Sequence, residues 1–195
     1  VFASDAGRVE ANVNAGVKLN EHLSTGVLLH ASDELMTLDH DGDGYMDIPK
    51  VRQLNFINRW YYQKNKYSAQ AFVRALSENR LGGTIDQSYG IDIDTKRYEF
   101  FLKNGYIFNA ETGSSMGLIL SGSMHDQKAN YGLKNYDGVQ NNLYANLIYQ
   151  TNIGHHHKIS TGLSFNHDVF DEKLNFYLPN GSLDDSTPYL KKEFV

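Results

Sequence analysis

Apolar and polar residues alternate along most of the chain with a period of two. In the first run, 8–20, apolar side chains take every second position and polar side chains take the positions between. Successive side chains of a strand point to opposite faces of a sheet, so this pattern predicts strands with one apolar and one polar face. It predicts nine strands: 8–20, 23–32, 51–63, 67–77, 97–108, 116–125, 142–151, 159–167 and 189–195.

The connections between the predicted strands alternate in length. Short turns are expected at 20–22, 64–66, 109–115 and 152–157. Long outer loops, rich in Gly, Asp and Asn, are expected at 33–50, 78–96, 126–140 and 168–188. Strands of about ten residues with short turns on one side and long loops on the other are typical of outer-membrane barrels. The predicted fold class is therefore all-β, a transmembrane antiparallel β-barrel with lipid on its apolar side and a lumen on its polar side.

Aromatic residues beside the short turns favour the same architecture. Six of them share the parity of the apolar face: Trp60, Tyr62, Tyr67, Tyr106, Phe108 and Tyr149. Amphipathic rings settle at membrane–water interfaces, so these residues predict an aromatic girdle at the periplasmic side.

The direction of the first strand bears on how much of a barrel is present. The first turn, 20–22, is of the short kind, so the first strand should run from outside inward. A complete barrel of this type starts in the periplasm and closes with an even number of strands. We therefore interpret residues 1–195 as a slice of about eight to nine strands from one larger barrel domain.

Composition narrows the classes of partner and chemistry. Gly (17), Tyr (13) and Phe (10) are abundant and Pro (3) is scarce, a balance that favours strands. A net charge of −5 without a basic run argues against nucleic acid. The absence of cysteine excludes disulfides and thiolate metal sites. His30, His125 and His167 lie near strand ends, but no nucleophile–base–acid spacing accompanies them, so no enzyme is predicted.

The segment 39–47 carries the most specific chemistry. Its carboxylates and its glycine fall at the positions of a calcium loop of the D-x-D-x-D-G type. Alternate residues of such a loop turn their oxygens toward one centre, as a hard cation requires. The predicted calcium ligands are the side chains of Asp39, Asp41, Asp43 and Asp47 and the carbonyl of Tyr45.

The match to a calcium loop is incomplete. Lys50 stands where an EF-hand supplies a bidentate Glu, and the following residues do not read as a helix. The alternative is a solvated acidic turn in which Gly42 and Gly44 only supply positive φ angles. Both interpretations stay open at this point.

Four stretches of the chain, 11–20, 23–30, 39–49 and 52–60, together resemble a known family. On these stretches the chain resembles TonB-dependent outer-membrane receptors, in particular the subclass of vitamin B12 and siderophore transporters. The resemblance implies a barrel of the 22-stranded type, filled by an N-terminal plug domain and energised through the TonB complex. Neither the plug nor the TonB-contact segment lies in this sequence. Some B12 receptors order their outer loops with calcium, which strengthens the expectation for 39–47.

The resemblance implies active uptake of a scarce, bulky small-molecule ligand, of the corrinoid or iron–siderophore type. The expected partners are membrane lipid, the plug and TonB complex, this ligand and a surface lipoprotein. Ligand contacts are expected from loop aromatics: Tyr89, Tyr131, Tyr136, Phe176 and Tyr177. The alternative is a non-transporting outer-membrane barrel, an adhesin or structural protein.

Overall fold

Ten β-strands form one sheet in this structure, which is a computed structural model. It describes residues 1–154, 157–184 and 189–194. The strands are β1 (Phe2–Ala3), β2 (Arg8–Lys18), β3 (Leu23–Glu34), β4 (Lys50–Lys64), β5 (Tyr67–Gly83), β6 (Gly90–Asn109), β7 (Ser114–Tyr131), β8 (Lys134–Ile153), β9 (His157–Phe176) and β10 (Tyr189–Phe194).

Each strand pairs antiparallel with its neighbours in the chain, so the order in the sheet is the order in the sequence. Within the described residues, the edge strands β1 and β10 do not pair with each other, and the sheet is open. The all-β, antiparallel part of the prediction is confirmed. Nowhere in the described ranges does a helix have the length and apolarity to cross a membrane.

The strands extend further toward the long loops than the hydrophobic pattern predicts. β6, β8 and β9 contain 20 residues each. The predicted loops 33–50, 78–96, 126–140 and 168–188 are therefore wrong in extent, and the connections are 35–49, 84–89, 132–133 and 177–188. Alternation in the phase of the apolar band does not reveal these extensions, because polar residues take the formerly apolar positions there while the backbone ladder continues. Asn79 of β5, for example, donates from its side chain to Asp92 of β6 at 2.8 Å.

We call the end of the sheet at which 35–49, 84–89 and 132–133 connect the strands, and at which β9 ends, the loop end. The opposite end, at which 19–22, 65–66 and 110–113 connect the strands and β8 ends, is the turn end. Connection length still differs between the two ends, but 132–133 is as tight as any turn at the turn end.

The strand register confirms the two predicted faces, because residues paired directly across strands share a face. Five successive rows are mainly apolar on one side. In β5 and β7 these rows contain Tyr67, Ala69, Ala71, Val73 and Ala75, and Met116, Leu118, Leu120, Gly122 and Met124. The other side of the same strands carries Ser68, Gln70, Arg74, Ser121 and Ser123. We call these sides the apolar face and the polar face.

The apolar face becomes polar toward the loop end. After the row of Ala75, Tyr98 and Met124, the next row on this face contains Ser77, Lys96 and Asp126. Further polar positions follow: Asn79, Asp92, Asp94, Lys128, Asn130, Asp137 and Lys173. The apolar part, which we call the apolar band, spans about nine residues of each strand, or roughly 30 Å at 3.3 Å per residue.

The described residues of the sheet do not form a buried core. Ala129, at 1% exposed, is the one buried hydrophobic residue among those described. On the apolar band, Leu163 is 78% and Phe165 is 55% exposed. Soluble monomers rarely expose contiguous apolar surface on this scale, so the band requires a covering environment.

Aromatic rings form a line along the turn end of the apolar face. Tyr62 lies 5.8 Å from Tyr67, and Tyr106 lies 5.2 Å from Phe108, between ring centroids. Phe108 in turn lies 6.5 Å from Tyr149. The predicted clustering of these residues at one end and on one face is confirmed.

Two of the three asparagines in the apolar band of β4 to β9, Asn58 and Asn104 but not Asn141, are hydrogen-bonded by side chains of the same face. The Asn58 amide donates to the Thr25 hydroxyl at 3.1 Å and accepts from the Trp60 indole at 2.5 Å. Asn104 accepts from the Tyr67 hydroxyl at 2.5 Å. The protein therefore supplies partners for both ends of the Asn58 amide and for the oxygen of Asn104.

Candidate functional site

The segment 39–47 forms a compact loop at the loop end of the sheet, and three of its carboxylates converge. Asp39, Asp41 and Asp43 each offer a carboxylate oxygen, and the three oxygens lie within 4.8 Å of one another. Ca²⁺ binds oxygens at about 2.3–2.6 Å, so ligands on opposite sides of the ion are about 5 Å apart. The three carboxylates are therefore close enough to contact a single ion.

Backbone amides fix these carboxylates in place. Asp39 accepts from the amides of Gly42 at 2.8 Å and Gly44 at 3.1 Å. Asp41 accepts from the Asp43 amide at 3.3 Å. Gly42 and Gly44 have φ angles of 73° and 84°, in the region that favours glycine. An ion-free acidic turn uses the same hydrogen bonds, and each carboxylate retains lone pairs for a cation.

The aspartate loop is joined to the connection 84–89 by backbone contacts. Tyr45 forms an isolated antiparallel bridge with Thr84. One of its hydrogen bonds runs from the Met46 amide to the Gly83 carbonyl at 2.9 Å. The bridge does not use the Tyr45 carbonyl, which is the predicted backbone ligand.

Asp47 lies apart from the three converging aspartates. Its carboxylate accepts from the His40 amide at 2.7 Å, and the His40 Nδ1 lies 3.1 Å from the same oxygen. The hydrogen bond from the His40 amide is the largest of the effects that hold the Asp47 pKa below its ordinary value. The Asp47 amide donates to the Leu38 carbonyl at 2.9 Å. Asp47 therefore closes the base of the loop, where the prediction made it a calcium ligand.

A cavity of about 890 Å³ lies next to the aspartate loop and contains two of the predicted ligand-binding residues. Tyr89 and Tyr131 line it, together with Met46 from the aspartate loop and Lys134 from β8. The Tyr89 ring packs on Gly132, where an added Cβ would lie 2.7 Å from the Tyr89 Cε2 atom. The cavity thus joins apolar rings to a cation, within one residue of the aspartate loop's bridge to 84–89.

The other three predicted aromatics lie outside the lining of this cavity. Tyr136 and Phe176 are on the polar face. The Tyr136 hydroxyl donates to Glu172 at 3.3 Å, and the Lys134 ammonium lies 5.6 Å from the centroid of the Phe176 ring. Tyr177 lies just after β9 and is exposed. The structure therefore groups Tyr89 with Tyr131 and leaves Tyr177 separate.

The sequence analysis missed a group of apolar residues on the polar face at the loop end. Across β6 to β9, one cross-strand row contains Ile93, Ala129, Tyr136 and Leu174. Ile91 lies in the next row and lines the cavity. The signal was present, because 91–94 alternates Ile with Asp in the opposite phase to Tyr98 and Phe100. A reversal of phase within one strand indicates that the apolar residues change face.

Comparisons with known proteins return no match from protein-family models, from curated proteins or from solved structures. The functional argument therefore depends on the geometry of the sheet and its loops.

Proposed function

We propose that this chain forms part of the wall and outer rim of an outer-membrane β-barrel. The observation that carries this proposal is the length of the apolar band, about nine residues per strand, close to the 9–11 residues that a tilted strand needs to cross a bilayer. Strand residues beyond the band then form a polar rim outside the membrane. The aromatic line at the turn end matches the girdle of such barrels.

The hydrogen bonds of Asn58 and Asn104 support a lipid contact for the band. An amide facing hydrocarbon costs several kcal/mol unless it is hydrogen-bonded. Both amides are bonded by side chains of the same face.

We further propose that the barrel is an active-transport receptor of the TonB-dependent kind. It would capture a corrinoid or an iron–siderophore, with a plug inside the polar face and TonB supplying energy. The cavity between Met46, Tyr89 and Tyr131 supports this, because it stands at the loop end, where an external ligand arrives. The resemblance of 39–60 to such receptors points to the same class.

The membrane assignment can be tested by cysteine labelling, because these 195 residues contain no cysteine and any cysteine elsewhere in the full-length protein can first be replaced by serine. Single cysteines at Leu120 and Ser121, neighbours on opposite faces, are placed in the full-length protein in vesicles. A fluorophore at Leu120→Cys should be quenched by lipid-attached quenchers and one at Ser121→Cys should not. Equal quenching at both positions would contradict the barrel.

Transport needs a separate test on the whole gene product. Cells that lack the gene should lose uptake of radiolabelled vitamin B12 or of ferric siderophore, and a tonB deletion should cause the same loss. Normal uptake of both ligand classes in the gene deletion would instead favour the non-transporting barrel, without affecting the membrane assignment.

Calcium binding by Asp39, Asp41 and Asp43 is part of the proposed function. An ion there would stiffen the aspartate loop, and through Met46 it would order one wall of the cavity. Without a bidentate Glu, the affinity should be at the weak, extracellular end, about 10⁻⁴ to 10⁻³ M.

The double variant Asp41→Asn, Asp43→Asn tests the calcium proposal in the full-length receptor. It should abolish the calcium dependence of ligand binding while leaving insertion into the membrane unchanged. Asp137→Asn, an exposed carboxylate on β8, is the matched control and should retain the dependence. If the wild type binds ligand equally well in calcium and in chelator, the segment is an acidic turn.

A further inference from the structure

A groove of about 560 Å³ lies on the apolar face, at the margin of the apolar band nearest the loop end. Most of its lining residues come from two adjacent cross-strand rows of that face: Phe56, Ala75, Tyr98, Met124 and Asn141 in the last row of the band, and Val73, Phe100 and Gly122 in the row before it. Ala75 has the smallest side chain of its row and pairs with Phe56 on one side and Tyr98 on the other. Two rings therefore border an open floor.

Two polar groups of this lining have no partner within the part of the chain that the structure describes. They are the Tyr98 hydroxyl and the Asn141 amide, and both residues are exposed. Asn141 differs in this respect from Asn58 and Asn104, which other side chains of the same face hydrogen-bond. An amide at the margin of a hydrocarbon layer costs free energy unless it is hydrogen-bonded. These two groups therefore favour a polar partner from outside the chain.

The next row toward the loop end places two opposite charges directly across from each other. Lys96 of β6 pairs in register with Asp126 of β7, but their charged atoms are not within 4.0 Å of each other. The Lys96 ammonium instead lies 3.7 Å from Asp94, in a contact whose side chains are 51% and 45% exposed and which contributes little. The Asp126 Oδ1 is buried and has no hydrogen-bond partner among the described residues. Facing opposite charges normally interact, so this pair is open to a ligand.

We propose that the groove and this charge pair bind one lipid molecule whose headgroup carries a phosphate and a primary ammonium group. An acyl chain would lie in the groove, and its ester group would lie level with Tyr98 and Asn141. The phosphate would contact Lys96 and the ammonium would contact Asp126, one row further toward the loop end. The inference rests on the proposed membrane location and goes beyond it, because lipid that only surrounds a barrel needs no such charge pair.

The order of these groups along the strands is the order of the groups in a lipid. Successive rows of one face are roughly 7 Å apart, so the apolar groove, the Tyr98 hydroxyl and the charged row follow one another with depth. Residues directly opposite each other on paired strands, such as Lys96 and Asp126, are about 5 Å apart. A phosphate and an ammonium that are joined by a two-carbon link span a comparable distance. The spacing therefore suits such a headgroup.

The two charges favour this headgroup over other lipid headgroups. A headgroup that carries only a phosphate would bring a like charge next to the Asp126 carboxylate. A quaternary ammonium, as in phosphatidylcholine, has the positive charge but no N–H to donate to Asp126. Asp126 is part-exposed as a residue, and rotation about its Cβ–Cγ bond can turn the unpartnered oxygen toward a donor. A hydrogen bond between charged groups is the stronger interaction, so the primary ammonium is preferred.

Photoactivatable lipids test the proposal on the full-length protein in phosphatidylcholine vesicles. Two probes carry the same diazirine acyl chain, one on phosphatidylethanolamine and one on phosphatidylcholine, and each is added at the same low mole fraction. Mass spectrometry of the crosslinked peptides locates the label. The ethanolamine probe should label 98–100 and 122–124 about tenfold more than the choline probe, as one charged hydrogen bond predicts. Leu163, an exposed residue of the band on β9, should be labelled equally by both probes.

Charge and shape variants then test the recognition. Asp126→Asn removes the charge but keeps the shape of the side chain, and it should abolish the preference for the ethanolamine probe. Lys96→Gln should lower labelling of the groove by both probes, because both carry the phosphate. Ala75→Leu should also lower both, because it fills the floor without changing the charge. Asp137→Asn, an exposed carboxylate of the same face on β8, is the matched control and should keep the preference.

Equal labelling of the groove by the two probes in the wild type would overturn the proposal, since the groove would then hold only surrounding lipid. A preference that survives both Asp126→Asn and Lys96→Gln would also contradict it. Labelling of Leu163 shows in each variant that the protein is inserted. Failure of the barrel itself gives a different result, because neither probe would then label Leu163 and quenching at Leu120→Cys and Ser121→Cys would be equal.

Discussion

The turn-end and loop-end halves of the sheet distribute polarity between their faces in opposite ways. In the turn-end half, Leu120 and its neighbours make one face apolar, and Arg59 and Lys103 lie on the other. In the loop-end half, Asp92 and Asp94 lie on the side of the sheet that is apolar in the turn-end half. Ile93 and Ala129 lie on the opposite side, in a row with Tyr136.

The same backbone ladder runs without interruption through both halves, so the strands themselves do not explain the reversal. A sheet with one solvated face keeps the same face polar along its length. A strand that leaves lipid and enters water must change its outer face from apolar to polar. The boundary between Ala75 and Ser77 on β5 lies where the proposed barrel would leave the membrane.

The largest effect is expected from an arginine in the middle of the apolar band. Leu120→Arg should lower the free energy of unfolding of the full-length barrel in vesicles by about 2–4 kcal/mol, since a charge at mid-bilayer loses its hydration. Urea titration of the refolded protein measures this.

Two controls test whether the effect depends on the face and on the half of the sheet. Ser121→Arg changes the adjacent residue on the polar face, and Asn130→Arg changes a residue on the same face as Leu120 but in the loop-end half. Both should be much milder than Leu120→Arg. If Asn130→Arg costs as much, the two halves share one environment and the comparison fails.

The next largest loss of stability is expected from breaking the ion pairs of Glu99 on the polar face. Glu99→Ala leaves Arg74 and Arg97 without their shared carboxylate, whose side chain is 19% exposed. Hydrogen bonds to charged groups contribute about 1.5–3 kcal/mol, and we expect a loss of that size in the same titration. Asp33→Ala breaks the more exposed contact with Arg52 and should cost about 0–1 kcal/mol. Equal losses would mean that burial of the polar face does not matter.

A smaller loss of stability is expected from changing the apolar row on the polar face at the loop end. Ala129→Leu adds bulk to the most buried hydrophobic residue described and should cost about 1–3 kcal/mol by overpacking. Lys128→Leu, the exposed neighbour on the other face, should stay within about 0.5 kcal/mol. A neutral Ala129→Leu would show that the row of Ile93 and Tyr136 is loosely packed.

The sequence predicted the turn-end half well, because there one face is mainly apolar and alternation records it. The register confirmed the apolar parity of Leu118 and Leu147, which pair directly. The loop-end half was predicted poorly, because charges such as Asp94 and Lys96 on β6 resemble loop residues when alternation is the only criterion. The hydrogen bonds that make them strand residues belong to the backbone and leave little trace in the pattern.

The candidate site shows the same division. The spacing of Asp39, Asp41 and Asp43 predicted that their oxygens would converge, and they do. The spacing could not predict that Asp47 turns to His40, because that contact depends on the fold of the loop base. The contribution of Met46 to the cavity was likewise hidden, since it depends on the bridge to Thr84.

The smallest effect is a pH response confined to the aspartate loop, away from the band. The Asp47 carboxylate accepts from the His40 amide, and this bond holds the Asp47 pKa below its ordinary value of 3.8. The bond therefore stabilises the loop fully when the pH is above the ordinary pKa, and its contribution is lost as the pH falls through the lowered pKa. Hydrogen exchange of peptide 38–48 should show constant protection from about pH 7 to about pH 4 and a decline at lower pH.

Asp47→Asn should reduce protection at neutral pH and remove the decline. Peptide 84–89, whose Asp86 pKa is lowered by its own hydrogen bond from the Ser88 amide, should keep its pH response in that variant. If peptide 38–48 of the wild type is equally protected at about pH 2 and about pH 7, the Asp47 carboxylate does not close the loop.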